Sequence, residues 1–352
     1  LGWDIPNVTP LLQMSSAVRI LIAFFVLVLF AANSAVPCVQ PRETKLYPIK
    51  LSGKSGYIDE TGKIVIAPQL ESATDFSEGF ACTSVDGKAA LIDTSGKVLL
   101  VLGFYGCTSF QDGLASVPLL DAKGILIGEG YIDKTGKYVI PPIYFSASDF
   151  TEGLAMVMPL NQEGNRVGYI DKTGRMVVPA KYDWGEWFSE GVVRVRIGKQ
   201  WGFVDKTGQM VIPAVYENVQ DFSEGLAPVE LNGRWGFIDH QGKFAVPPKF
   251  DSAGYFCDGL APAMKKRKLG FIDKTGTFVI PPKYRDSLGF SFGLAPVLIG
   301  KKWGYIDRHG VLVIPAIFDE VWGFDSELAQ VKLDNKHTYI DKLGHVVWQD
   351  SP

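Results

Sequence analysis

An aspartate followed three residues later by glycine returns along this chain at a spacing that leaves few folds open. It stands in "GYIDETGKIVIAP" from Gly56, "GYIDKTGKYVIPP" from Gly130, "GYIDKTGRMVVPA" from Gly168, "GFVDKTGQMVIPA" from Gly202, "GFIDHQGKFAVPP" from Gly236, "GFIDKTGTFVIPP" from Gly270 and "GYIDRHGVLVIPA" from Gly304. Weaker copies surround Asp93 and Asp341, and successive aspartates lie 34, 40, 38, 34, 34, 34, 34 and 34 residues apart. A near-constant period of this size marks one small structural unit, repeated nine times, whose apolar face is covered only by its neighbours.

A second signature keeps the same rhythm: "FSEGFA" at Phe76, "FQDGLA" at Phe110, "FTEGLA" at Phe150, "FSEGVV" at Phe188, "FSEGLA" at Phe222, "FCDGLA" at Phe256 and "FSFGLA" at Phe290. The two longer gaps therefore fall between this signature and the next aspartate, in "LLDAKGILIGE" and "LNQEGNR". Both insertions read as lengthened hairpin loops.

The unit reads as β structure. "LAPVEL" (226–231) is a first strand, "NGR" a turn, and "WGFID" (235–239) a second strand whose side chains alternate between faces. Asp239 to Gly242 supplies a type I turn closed by a glycine bulge, with the aspartate accepting bonds from the backbone just ahead. "KFAV" is the third strand, and Pro247 and Pro248 end its pairing because neither can donate an amide hydrogen. One three-stranded antiparallel meander is too small to stand alone in water, so a ladder of Tyr or Phe from the second strands, with a second ladder from the FxEG phenylalanines, must join the units. Each buried ring contributes roughly 1.5–3 kcal/mol.

These units resemble the WG-containing (KWG) repeats of bacterial proteins over about residues 55–348. Only Trp201, Trp235 and Trp303 fill the tryptophan slot; Ser55, Ala89, Glu129, Val167, Leu269 and His337 occupy it elsewhere. The resemblance implies an architecture more than an activity. The expected fold is all-β, with the meanders stacked as an open, twisting β-solenoid. The alternative is a β-propeller-like arrangement, for which a 34-residue unit is lean and nine copies are many.

Ahead of the repeats, residues 1–13 fit no targeting pattern and read as an overcalled start. Residues 14–35 combine Arg19, the apolar run Ile20 to Ala32 and small residues, the grammar of a signal peptide, with an N-terminal membrane anchor as the alternative. Residues 36–54 read as a linker. Export places Cys38, Cys82, Cys107 and Cys257 in an oxidising compartment, where three pairings are open.

A net charge of −3 without a long basic run gives no electrostatic footprint for nucleic acid. The repeated aspartates, Asp205, Asp239, Asp273 and Asp307 among them, have a turn role that accounts for them. No histidine pair has zinc-ligand spacing, so no metal or cofactor is expected. Trp201, Trp235 and Trp303 are read as structural repeat positions. The segments after the prolines differ between units, and variable positions on a repeated frame are where recognition is placed; Trp184, Trp187 and Trp322 are the binding candidates there. The expected function is an exported, periplasmic or extracellular, non-enzymatic scaffold for a protein or polysaccharide of the cell envelope. An envelope hydrolase with a carboxylate site and a purely structural spacer are the alternatives.

Overall fold

The computed structural model describes residues 45–102, 109–121, 123–160 and 164–350, and every regular element among them is a strand. The strands form eight antiparallel sheets in which spatial order follows chain order. Seven sheets hold one repeat each. The eighth has six strands because the long strand Tyr138–Ala147 closes one repeat and then pairs with the first strand of the next, Ala147 opposite Val157. Eight sheets thus carry nine repeats.

Three kinds of tight turn, each written in the sequence, build the unit. In the repeat around Trp235, Ala227–Leu231 and Arg234–Ile238 are joined through Asn232 and Gly233, both at positive φ (53° and 68°), as a type I′ hairpin requires. Asp239 to Gly242 leads to Phe244–Phe250: the Gly242 N–H donates to the Asp239 carbonyl, and the Asp239 carboxylate accepts from the N–H groups of Gln241 and Lys243. The FxEG signature is itself a two-residue hairpin, with Ser223 and Leu226 bonded to each other across Glu224 (φ 54°) and Gly225 (φ 85°). In four sheets the connecting segment adds a two-residue fourth strand, such as Asn218–Val219.

The paired prolines do not end the third strand. Phe244–Phe250 runs through Pro247 and Pro248 as a bulge, so Phe237 faces Val246 while Trp235, two residues earlier, faces Phe250. A proline without an N–H is tolerated where the ladder is interrupted. Over this bulge the two backbones come so close that a Cβ on Gly236 would sit 2.6 Å from the Val246 carbonyl oxygen. The glycine after the tryptophan slot is needed for that approach.

The aromatic ladders join each unit to the next. Phe203 packs on Phe222 at 5.0 Å between ring centroids, Phe237 on Phe256 at 5.0 Å and Phe271 on Phe290 at 4.8 Å. Where the second-strand residue is tyrosine, its hydroxyl also reaches a carbonyl 17 residues on, as Tyr131 does to Ser148 at 2.6 Å and Tyr305 to Trp322 at 2.8 Å.

The open solenoid is corrected by the contacts of the end units. Along the chain, the turn glycine of each unit sits on the third strand of the unit before, Gly208 on Val178 and Gly242 on Ile212; Gly62 of the first unit sits on Val347 of the last. Tyr47 and Tyr339 meet edge to face at 5.6 Å, the Tyr339 hydroxyl donates to the Pro48 carbonyl at 2.8 Å, and Lys45 pairs with Asp325. Tyr47, Ile49, Ile58, Leu328 and Tyr339 form one buried cluster across this seam. The array is a closed β-propeller ring. Neighbour contacts of one kind serve an open or a closed array equally well, and the twist accumulated per unit decides between them.

The first repeat also begins earlier than the sequence reading placed it. Tyr47–Leu51, within the stretch read as a linker, pairs with Lys54–Ile58. The 1–13 and 14–35 segments, Cys38 and Cys107 lie outside the described residues. Cys82 and Cys257 are both disulfide-bonded.

Candidate functional site

The repeated carboxylates are occupied in building the ring. Asp205 accepts from the Thr207 hydroxyl at 2.6 Å and from the N–H groups of Thr207 and Gln209, and the hydroxyl bond above all holds its carboxyl below the usual range. Asp239, Asp273 and Asp307 make the same backbone turn. The FxEG acid acts between units: Glu224 accepts the Gly259 N–H of the next hairpin at 3.0 Å and pairs with Lys274 at 3.2 Å, as Glu152 does with Gly191 and Lys206. A non-glycine residue at positive φ costs about 1–2 kcal/mol. A charge-assisted bond of about 1.5–3 kcal/mol, reduced here by solvent, offsets that strain. These residues align successive units.

At the seam Glu60, Glu327, Leu328, Asp341, Lys342 and Leu343 line a hollow of about 590 Å³. It is shallow, with Leu343 73% exposed. Glu327 pairs with Lys342 at 3.1 Å, while Asp341 accepts from the N–H groups of Leu343 and His345. Burial raises the Asp341 carboxyl, but these and the His345 side chain outweigh it, leaving it below its ordinary value. That is the wrong direction for a general acid. Among the described residues no group of three His, Cys, Asp or Glu side chains converges as a metal site.

The units differ in one cross-strand row at the tryptophan slot. Directly opposed residues share a sheet face. In the repeat of Trp201 the row is Trp184, Arg196, Trp201; in the next it is Asn218, Glu230, Trp235; then Ser252, Met264, Leu269; and in the last Glu320, Lys332, His337. Two positions along the second strand, the same face carries Phe203, Phe237, Phe271 and Tyr339, all buried. The row therefore lies where the packed interface between units gives way to solvent, and its chemistry changes from one unit to the next.

A family model described as "WG containing repeat" matches residues 56–88, 130–161, 168–201, 201–235, 235–268, 270–303 and 303–336. The chain belongs to this family. No curated protein matches it by sequence. A crystal structure of a eukaryotic initiation factor is similar in fold, with a TM-score of 0.62 at 14% identity over 88% of this chain and 96% of that one. BamB from Moraxella catarrhalis matches over 91% of this chain and 95% of its own at 12% identity, with a TM-score of 0.40.

Within the WG repeats, Trp201, Trp235 and Trp303 are half-buried and pack against the clusters around Phe222, Phe256 and Phe324. Of the binding candidates, Trp184 lies on the two-residue strand Trp184–Gly185, its indole N–H donating to Glu186 at 2.9 Å, and Trp187 is half-buried just before Phe188. Trp322 is 42% exposed, four repeats further on. The structure groups the first two on one segment and leaves Trp322 apart. The arginine between Trp184 and Trp201 was missed by sequence reading, because only strand register places residues 184, 196 and 201 side by side.

Glu129 fills the tryptophan slot of the third repeat and is half-buried, accepting the Ala147 N–H at 2.7 Å. Burial pushes its carboxyl up to about 7, against that bond. An acid whose folded pKa exceeds its unfolded one keeps its proton longer in the folded state, so this site loses stability as pH rises from about 4.5 to about 7. Glu129→Gln is expected to flatten that part of the stability profile, by about 1–3 kcal/mol across the window. Urea denaturation of both proteins at pH 4.5, 6 and 8 measures it, and parallel profiles would refute it.

Proposed function

We propose that this protein is an exported, non-catalytic propeller scaffold that binds a protein or polysaccharide of the cell envelope through the variable row at the tryptophan slot. One observation carries the reading: turns, ladders and inter-unit carboxylates repeat, while that row does not. A spacer that only stacked would have no use for such differences. The disulfide bonding of Cys82 and Cys257 supports an oxidising compartment and hence export, with residues 14–35 as the signal peptide.

The test is capture of envelope material by the full-length protein. Trp184→Ala combined with Trp187→Ala is expected to lower the retained partner at least tenfold, and Trp322→Ala less. Equal retention by wild type and the double variant, with both folded by circular dichroism, would remove these tryptophans from the site. No retention by either protein would favour the spacer.

A further inference from the structure

We propose that the surface row at Arg196 takes an acidic polysaccharide, with Arg196 holding a sugar carboxylate and Trp184 and Trp201 stacking on the flanking pyranose rings. The proposal rests on the binding role given above and names its ligand class.

The three side chains come from three adjacent strands, Trp184–Gly185, Val192–Ile197 and Gln200–Asp205, where Arg196 lies directly opposite both tryptophans. Trp184 and Trp201 are thus two strand spacings apart, about 10 Å, the length scale of a disaccharide. Two guanidinium groups approach the Trp201 ring, Arg194 at 5.7 Å and Arg196 at 5.8 Å from its centre. Their electrostatic situations differ. Arg194 is held by Asp221 at 2.8 Å, the Val219 carbonyl at 3.0 Å and Glu186 at 3.8 Å. Arg196 has no carboxylate partner among the described residues, and its guanidinium rests only against the Trp201 ring.

A guanidinium carries five donors in a planar fork that matches a carboxylate in two-point contact. Both acids of the cluster already serve Arg194, so Arg196 is the cation left to meet an anion. A partly exposed indole flanks it on either side, and Glu186 fixes the Trp184 indole from its edge. A neutral glycan would leave the arginine unanswered, and an acidic peptide would use the arginine without needing two ring faces at disaccharide spacing. In the three other sheets with a short fourth strand the middle position of the row is Glu230, Met264 or Lys332, and opposite Trp303 it is Leu298, with no second tryptophan beside any of them. The site belongs to one repeat.

Full-length protein would be titrated calorimetrically with polygalacturonate, with neutral dextran and with poly-glutamate. Expected are binding of polygalacturonate alone, weakening with added salt, at least tenfold loss in Arg196→Gln, and severalfold loss in Trp184→Ala. Arg196→Lys should fall between wild type and Arg196→Gln, because lysine keeps the charge but not the fork. Unchanged affinity in Arg196→Gln, equal binding of dextran, or no binding of polygalacturonate by wild type would overturn the proposal. Preference for poly-glutamate would overturn it too, assigning the row to an acidic peptide. If Arg196→Gln fails to fold, Arg196→Lys and Trp184→Ala carry the comparison. A protein that captures an envelope partner through its tryptophans yet ignores polygalacturonate would defeat this inference and leave the scaffold reading standing.

Discussion

Tyr339→Ala is expected to destabilise the folded ring by about 3–5 kcal/mol, the usual cost of emptying a buried aromatic site. Tyr339 is 6% exposed, packs edge to face on Tyr47 and against Trp348, and donates its hydroxyl to the Pro48 carbonyl. Every one of these contacts except that with Trp348 crosses between the last unit and the first. In an open array the substitution would touch only a terminal unit, which frays at little cost to the rest. In a closed ring the same residue holds the seam, and the penalty enters the cooperative transition. Tyr339→Phe separates the two contributions: it keeps the ring stack and loses the bond, at about 1 kcal/mol. Urea midpoints of wild type and both variants measure the effect, and a loss below about 1 kcal/mol for Tyr339→Ala would argue that the seam is open.

Gly236→Ala is expected to cost roughly 3 kcal/mol or more, at the upper end of what one added methyl does in a packed site. The new Cβ would stand 2.6 Å from the Val246 carbonyl oxygen and 2.7 Å from the Pro248 nitrogen, and neither backbone atom can swing aside as a side chain would. Relief requires the bulge at the prolines to open, which pulls Phe250 away from its place opposite Trp235. Gly198→Ala is the control. It has a φ of 62° and nothing within 4 Å of the added Cβ, so it should cost only about 1–2 kcal/mol of left-handed strain. Thermal unfolding of the two variants should rank them in that order; equal losses would mean that close approach does not explain the glycine.

The unit was largely legible before the structure. Asp239 and Gly242 make the turn their spacing implies, and Phe237 and Phe256 meet as neighbouring ladders. The insertion around Asp121 lengthens a hairpin, whose turn repeats the aspartate device by accepting from the N–H groups of Lys123 and Ile125. Each of these is a local interaction, confined to one turn or to adjoining units. The prolines were misread as a stop because lost amide donors show in a sequence, while the bulge that tolerates them depends on Gly236 across the strand. The candidate site was legible only in part. Trp184 stood out as an aromatic in a variable segment, but Arg196 had no signal until register set it beside Trp184 and Trp201.

The sequence by itself determined the repeat, its turns, its aromatic ladders and its membership of the WG family, because those properties are periodic and short-ranged. Only the tertiary structure decided that nine units close, that the segment from Tyr47 completes the first of them, and which side chains share a row. Closure depends on a small rotation summed over the whole array, and a shared row on strands paired across turns of differing length. Neither quantity is written at any single position of the chain.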